Sequence, residues 1–169
     1  MSDDWESYPR NRDVSLTWIS FDRGLAAEIA LVVPTTCVRL SLHVRSPSPN
    51  GMPAKAEFDA LNRIEDMLVP FVEERGGIYA GRMTARGVRT FLCYAELPER
   101  DIRAFCDSVS RDPGYALAVD REHDPTRRGY WDELFPTEDD DSLIQDMKVF
   151  EALRSSGDDG TRPRRIDHW

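Results

Sequence analysis

The chain reads as an α+β protein, a ferredoxin-like split β-α-β sandwich with an extra N-terminal strand and a C-terminal helix. Three observations predict it. From Thr36 onward the apolar pattern runs strand, helix, strand, strand, helix, strand. Thr36–Arg45 alternates, with Val38, Leu40, Leu42 and Val44 on one side and Cys37, Arg39, Ser41, His43 and Arg45 on the other. A period of two with one apolar face marks a half-buried strand. Over Pro53–Arg75, Phe58, Leu61, Ile64, Leu68, Phe71 and Val72 form one helical stripe, which needs a sheet to cover.

The elements follow in order. Residues 1–12 are polar, with Trp5 and Tyr8 as anchors and Pro9 as a breaker, and are expected to be a tail docking its aromatics on the body. Asp13–Phe21 is β-rich and is expected to extend the sheet, beside Thr36–Arg45 or at an outer edge. Leu25–Val33 is apolar and Ala-rich, a short helix or an irregular buried connection that Pro34 ends. Ser46-Pro-Ser-Pro-Asn-Gly is a turn. Pro53 suits a first helical position, and Gly76-Gly77 supplies a left-handed stop. Pro70 inside the pattern predicts a kink, or a break near Met67.

Ile78–Thr84 and Val88–Ala95 flank Ala85-Arg86-Gly87, a hairpin signal. Pro98–Ser110 places Ile102, Phe105, Cys106 and Val109 on one helical face. After the turn Asp112-Pro113-Gly114, Tyr115, Leu117 and Val119 alternate in a last strand. Asp120–Gly129 is expected to be a charged loop, followed by the cluster Tyr130, Trp131, Leu134 and Phe135. Asp140–Ser155 reads as a third helix with Leu143, Ile144, Met147, Phe150 and Leu153 inward. Asp139, Asp140 and Asp141 sit at its positive N-terminal end. Gly157 ends that helix, and a polar tail with Arg162, Arg164 and Arg165 follows. The expected organisation is a tail (1–12), an α+β domain (13–138), a helix (139–157) and a polar tail (158–169).

A chain of 169 residues can build a core without metals or disulfides. Its formal net charge of −9 argues against general DNA or RNA binding, which depends on neutralising phosphates. Such acidity suits a basic protein partner, and it also favours solubility. Cys37, Cys93 and Cys106 lack zinc-ligand spacing and read as reduced thiols. The start Met-Ser-Asp-Asp-Trp carries no secretion-signal pattern, and no run reaches the length of a membrane span. A cytoplasmic location without a membrane partner is therefore expected, and no cofactor is expected.

Asp120, Glu122, His123 and Asp124 form the one local group of metal-capable side chains, and a small metal-dependent hydrolase is the alternative function. They lack the helical i, i+4 spacing of a metal pair, so a solvated loop is favoured. His43 would meet Cys93 only if both share a sheet face. Arg86–Cys93 begins like the third strand of an RNA-recognition motif, but Val88 and Thr90 hold the places where aromatics would stack on bases. A phosphate loop, a Gly-x-Ser-x-Gly turn and a His-Glu-x-x-His helix are all absent. A non-enzymatic chain is expected.

Asn50-Gly51 with the helical stretch Ala60–Asp66, Tyr79–Thr84 with the following strand, and Trp131–Thr137 carry a resemblance. Together they resemble the bacterial domain of unknown function 695 family, over roughly Trp5–Leu153. The resemblance implies no established activity and no catalytic residues. Val149–Asp159, continuing to Pro163–Trp169, is similar to the opening helix and first strand of the regulator of ribonuclease E activity B family. Members of that family are acidic and inhibit an RNA-degrading endonuclease by binding it. Only the opening of such a domain is present, so a vestigial or truncated tail is favoured. The resemblance implies a link to ribonuclease regulation without transferring the inhibitor function.

The expected function is a regulatory or protein-interaction module with an unidentified, basic protein partner. The candidate surface is Tyr130, Trp131 and Phe135 with Asp132, Glu133, Asp139, Asp140 and Asp141. Aromatics would anchor, and acids would steer. The competing reading has Trp131 and Phe135 pinning the third helix to the core. Arg39, His43 and Arg45 on the polar strand face form a second candidate surface.

Overall fold

Six strands form one antiparallel sheet in a computed structural model that describes residues 4–12, 15–32 and 34–156. They are β1 (Trp5–Arg12), β2 (Ser15–Asp22), β3 (Thr36–His43), β4 (Ile78–Ala85), β5 (Val88–Tyr94) and β6 (Ala118–His123). The order across the sheet is β1-β2-β4-β5-β3-β6. Two helices, α1 (Phe58–Glu73) and α2 (Glu99–Arg111), link β3 to β4 and β5 to β6. Each crossover skips one strand: β5 lies between β3 and β4, and β3 lies between β5 and β6. The chain divides into two compact units, residues 1–135 and 136–169.

Both helices of the first unit cover one face of the sheet. Leu61, Ile64, Leu68 and Val72 of α1 and Ile102, Phe105 and Val109 of α2 pack with Val38, Leu40, Leu42, Phe91 and Cys93. Phe71 stacks on Phe105 at 4.6 Å between ring centroids. Each fully buried aliphatic or aromatic side chain contributes about 1.5–3 kcal/mol of burial. The strands expected to form a hairpin do so, and Arg86 and Gly87 turn the corner with φ of 51° and 74°. Two left-handed residues make the turn whose twist matches the strands.

Several expectations change. Trp5–Arg12, read as a tail, forms edge strand β1, paired with β2 throughout. Trp5 stacks on Tyr79 and Tyr8 is fully buried. The β-rich stretch pairs with β4 as well as β1, because β6 takes the open side of β3; Asp13 and Val14 lie outside the described residues. Leu25–Val33 becomes two 3-10 turns, Gly24–Ala27 and Ile29–Leu31, with Val33 outside the described residues. Pro70 neither breaks nor ends α1. The carbonyl of Asp66, four residues before it, loses its helical donor, but both residues lie on the exposed side.

The last strand starts at Ala118 rather than Tyr115 and takes in Asp120, Arg121, Glu122 and His123. Tyr115 is instead buried, donating to Glu57 Oε1 at 2.6 Å. An edge strand tolerates that charge because one side stays open to water.

In the second unit, α3 (Glu138–Ser156) begins with a reciprocal cap. Asp140 Oδ2 accepts from the Thr137 amide at 3.0 Å and from its hydroxyl at 2.9 Å, and the Asp140 amide donates to Thr137 Oγ1. Of the expected inner face, Ile144 is buried and Met147 half-buried, whereas Leu143, Phe150 and Leu153 are exposed. Gly157 and the polar tail lie outside the described residues.

Candidate functional site

The sheet face opposite α1 and α2 is closed at one end by a π-helical turn, Gly129–Leu134. Its approach depends on a missing side chain. A Cβ on Gly129 would stand 2.8 Å from Cys37 Sγ and 3.1 Å from Tyr94 Oη. Tyr130 and Leu134 are fully buried there, and the Tyr130 hydroxyl donates to the Asp22 carbonyl at 2.8 Å.

Both ends of the turn are held by charged groups. At its start, Asp124 Oδ2 accepts from the Gly129 amide at 2.9 Å and the Tyr94 hydroxyl at 2.8 Å, while Oδ1 accepts from the Arg128 amide at 2.9 Å. Burial acts most strongly and pushes this carboxyl up, but the donors together outweigh it and hold the pKa below the usual value. At the end, Arg10 donates to the carbonyls of Glu133 at 3.0 Å and Phe135 at 2.7 Å. A cation belongs at a helix C-terminus, where carbonyls lack partners. Tyr8 adds a bond from its hydroxyl to the Leu134 carbonyl at 2.8 Å. Arg127, in left-handed conformation at φ 61°, donates to the carbonyls of Ile29, Val32 and Asp124.

This clamped turn presents Trp131. The ring is 39 % exposed and meets Tyr130 edge-on at 5.0 Å and Phe135 at 4.8 Å. Asp132 pairs with Arg128 at 3.3 Å, and Glu133 pairs with Arg39 at 2.5 Å. The hydrogen bonds that Arg39 donates to Glu133 raise its pKa further above its ordinary value. Arg39 also reaches Glu122 at 3.2 Å and Asp120 at 3.5 Å. The two surfaces separated in the sequence therefore meet at the Arg39–Glu133 pair.

The remaining candidates disperse. His43 is exposed at the end of β3, but Arg45 leaves that face. It donates to the carbonyls of Pro113 and Gly114 and lies 4.0 Å over the Tyr115 ring. The chain turns there because the Arg45 and Ser46 amides both donate to Glu57. In the second unit, Asp139 is exposed and Asp141 half-exposed, while Asp140 is taken up by the helix cap.

The metal-capable group does not converge. Asp120 and Glu122 serve Arg39, Asp124 is buried at the π-helical turn, and His123 Nδ1 lies 3.3 Å from Thr35 Oγ1. Among the described residues, no group of three His, Cys, Asp or Glu side chains is placed to hold a metal ion. His43 and Cys93 lie on opposite faces, since Cys93 belongs to the helix-side core and its thiol faces the Val38 carbonyl. Burial pushes the Cys37 thiol up to about 12 and the Cys93 thiol higher still, so both stay protonated at neutral pH.

Arg10 is no candidate in the sequence, and Asp124 is one only as a member of the metal-capable group, not as the anchor of this turn. Arg10 gives no signal within a polar stretch. Asp124 precedes a short helical turn, and an acid before such a turn is a capping signal.

Fold and surface together define an α+β protein with a one-sheet core and a rigid aromatic projection on its second face. A family of unknown function (DUF695) matches residues 3–135, most of the chain, and the chain belongs to that family. No curated protein and no solved structure is similar enough to count as a relative.

Proposed function

We propose that this chain is a non-catalytic, regulatory protein-interaction module whose Trp131 surface anchors a basic protein partner. The observation that carries the reading is the exposure of Trp131 on a base that is buried and hydrogen-bonded at both ends. Its neighbours Tyr130 and Leu134 are fully buried, and both ends of the turn are clamped. A large ring held rigid loses little conformational freedom on binding, which is why Trp is enriched at energetic centres of interfaces. The net charge of −9 would steer a basic partner and make association sensitive to salt. The resemblance that would name a ribonuclease as that partner rests on Val149–Asp159 and Pro163–Trp169, of which only the helical part up to Ser156 lies among the described residues.

The test compares the intact chain with Trp131→Ala for partner retention from a lysate at moderate salt, alongside melting temperature. Retention should fall at least about ten-fold, as expected for an interface anchor, while the melting temperature moves by only a few degrees. A large drop in melting temperature with retention unchanged would make Trp131 a core residue and remove the proposal.

A further inference from the structure

Among the described residues, buried arginines have their donors occupied, with one exception. Arg10 and Arg127 are spent on carbonyls, and half-buried Arg82 grips both oxygens of Glu65 at 2.5 Å. Arg89 is 6 % exposed, and its Nε donates to Thr84 Oγ1 at 3.1 Å. Its Nη1 is buried without any hydrogen-bond partner, and among the described residues no carboxylate pairs with it. A buried cation without an anion is costly, and proteins rarely keep one without use. Burial, together with the nearby Arg82 charge, lowers the Arg89 pKa.

Arg89 lines a cavity of about 220 Å³ beneath the first turn of α1. Trp18, Met52, Pro53 and Phe58 form its apolar walls, and Asn62 and Thr84 add polar groups. Trp18 and Phe58 are 38 % and 41 % exposed, so two aromatic rings stand half uncovered at the same place. Glu65 pairs directly with Arg82 and, like Glu57, acts on Arg89 only from a distance, so Arg89 has no ion pair among the described residues.

We propose that this cavity binds a small organic carboxylate bearing one aromatic ring. The planar guanidinium of Arg89 matches a carboxylate with two parallel hydrogen bonds. The apolar walls favour a ring over a bare inorganic anion, which would leave them unfilled. The volume is below the roughly 300 Å³ at which drug-sized pockets begin, which limits the ligand to about one ring. This site is separate from the Trp131 surface and stands whether or not that surface binds protein.

The test is an NMR titration of the intact chain with 3-phenylpropionate, following the Trp18 indole N–H and the Arg89 Nε–H. The alcohol 3-phenylpropanol and acetate serve as controls. Both resonances should shift saturably with the aromatic acid, and at least about ten-fold more weakly with either control, as fits loss of a charge-assisted bond or of the apolar body. Arg89→Met keeps the side-chain volume and removes the charge. It should abolish the saturable shift of Trp18 while leaving the melting temperature equal or higher, because an unpaired buried charge is gone. Phe58→Ala, at an exposed position, should weaken binding with the fold intact, and it decides the matter if Arg89→Met does not fold. An equal response to the alcohol, full affinity in a folded Arg89→Met or Phe58→Ala chain, or no saturable shift would each overturn the proposal.

Discussion

Asp124 carries more structural weight than its place in a charged stretch suggests. Its two oxygens hold the Tyr94 hydroxyl and the amides of Arg128 and Gly129, and with them the start of the turn that presents Trp131. Removing the acceptor strands buried donors, each costing about 1–3 kcal/mol. Asp124→Ala should therefore lower unfolding free energy by about 2–4 kcal/mol at neutral pH, measured by denaturant titration. The pH dependence follows from the direction of the shift. The folded-state pKa lies below the ordinary value of 3.8, so the unfolded chain binds the proton first as pH falls. The contribution is fully present above about pH 4–5 and is lost as pH falls through the folded-state pKa. In Asp124→Ala that part of the acid-induced loss should be missing. Nothing in the sequence marks this residue as buried, because its burial comes from Tyr94 and Gly129, brought together by the sheet. Arg89 is similar: its strand is legible, but its lack of a direct carboxylate pair among the described residues is a property of the assembled core.

At the scale of elements, those set by local pattern alone are legible in the sequence. The two-residue alternation of β3 and the stripe of α1 are fixed by backbone geometry, and Leu61, Ile64, Leu68 and Val72 are buried as their spacing requires. Elements that depend on a neighbour were not legible. β1 looks like a tail because a polar edge strand has only one pairing side, and the charged part of β6, Asp120 to His123, looks like a loop for the same reason. The π-helical turn is too short to carry a period. Pro70 misled in the other direction, since the helix passes through it and leaves one carbonyl to water. That tolerance has a measurable cost. Proline is about 3 kcal/mol worse than alanine inside a helix, offset by about 0.4–1 kcal/mol from the stiffer unfolded chain. With a solvated carbonyl softening the penalty, Pro70→Ala should raise stability by about 1–2 kcal/mol in urea unfolding. A destabilised variant would mean that the proline ring itself packs usefully.

For the molecule as a whole, the α+β class, the hairpin and a last strand followed from the order of patterns, whereas edge strand β1 and the bounds of β6 did not. The order β1-β2-β4-β5-β3-β6 places the two strands with the strongest apolar character, β5 and β3, between neighbours on both sides. Phe91, Leu92, Cys93 and Tyr94 of β5 are all fully buried, because α1 and α2 cover one face and the π-helical turn reaches the other. β6 pairs only with β3, and none of its residues is fully buried. Local opening should therefore be cheap at β6 and as costly as global unfolding at β5. Native-state hydrogen exchange tests this strand by strand. Hydrogen-bonded amides within Phe91–Tyr94 should exchange only as fast as the whole domain unfolds, and those of Ala118–His123 at least about a hundred-fold faster. Added denaturant should accelerate the β5 amides with the slope of global unfolding and leave β6 nearly unchanged, since opening an edge strand exposes little surface. Equal protection of the two strands would mean that β6 is locked into the same cooperative unit as the core, and that the charged edge is closed by contacts beyond its pairing with β3.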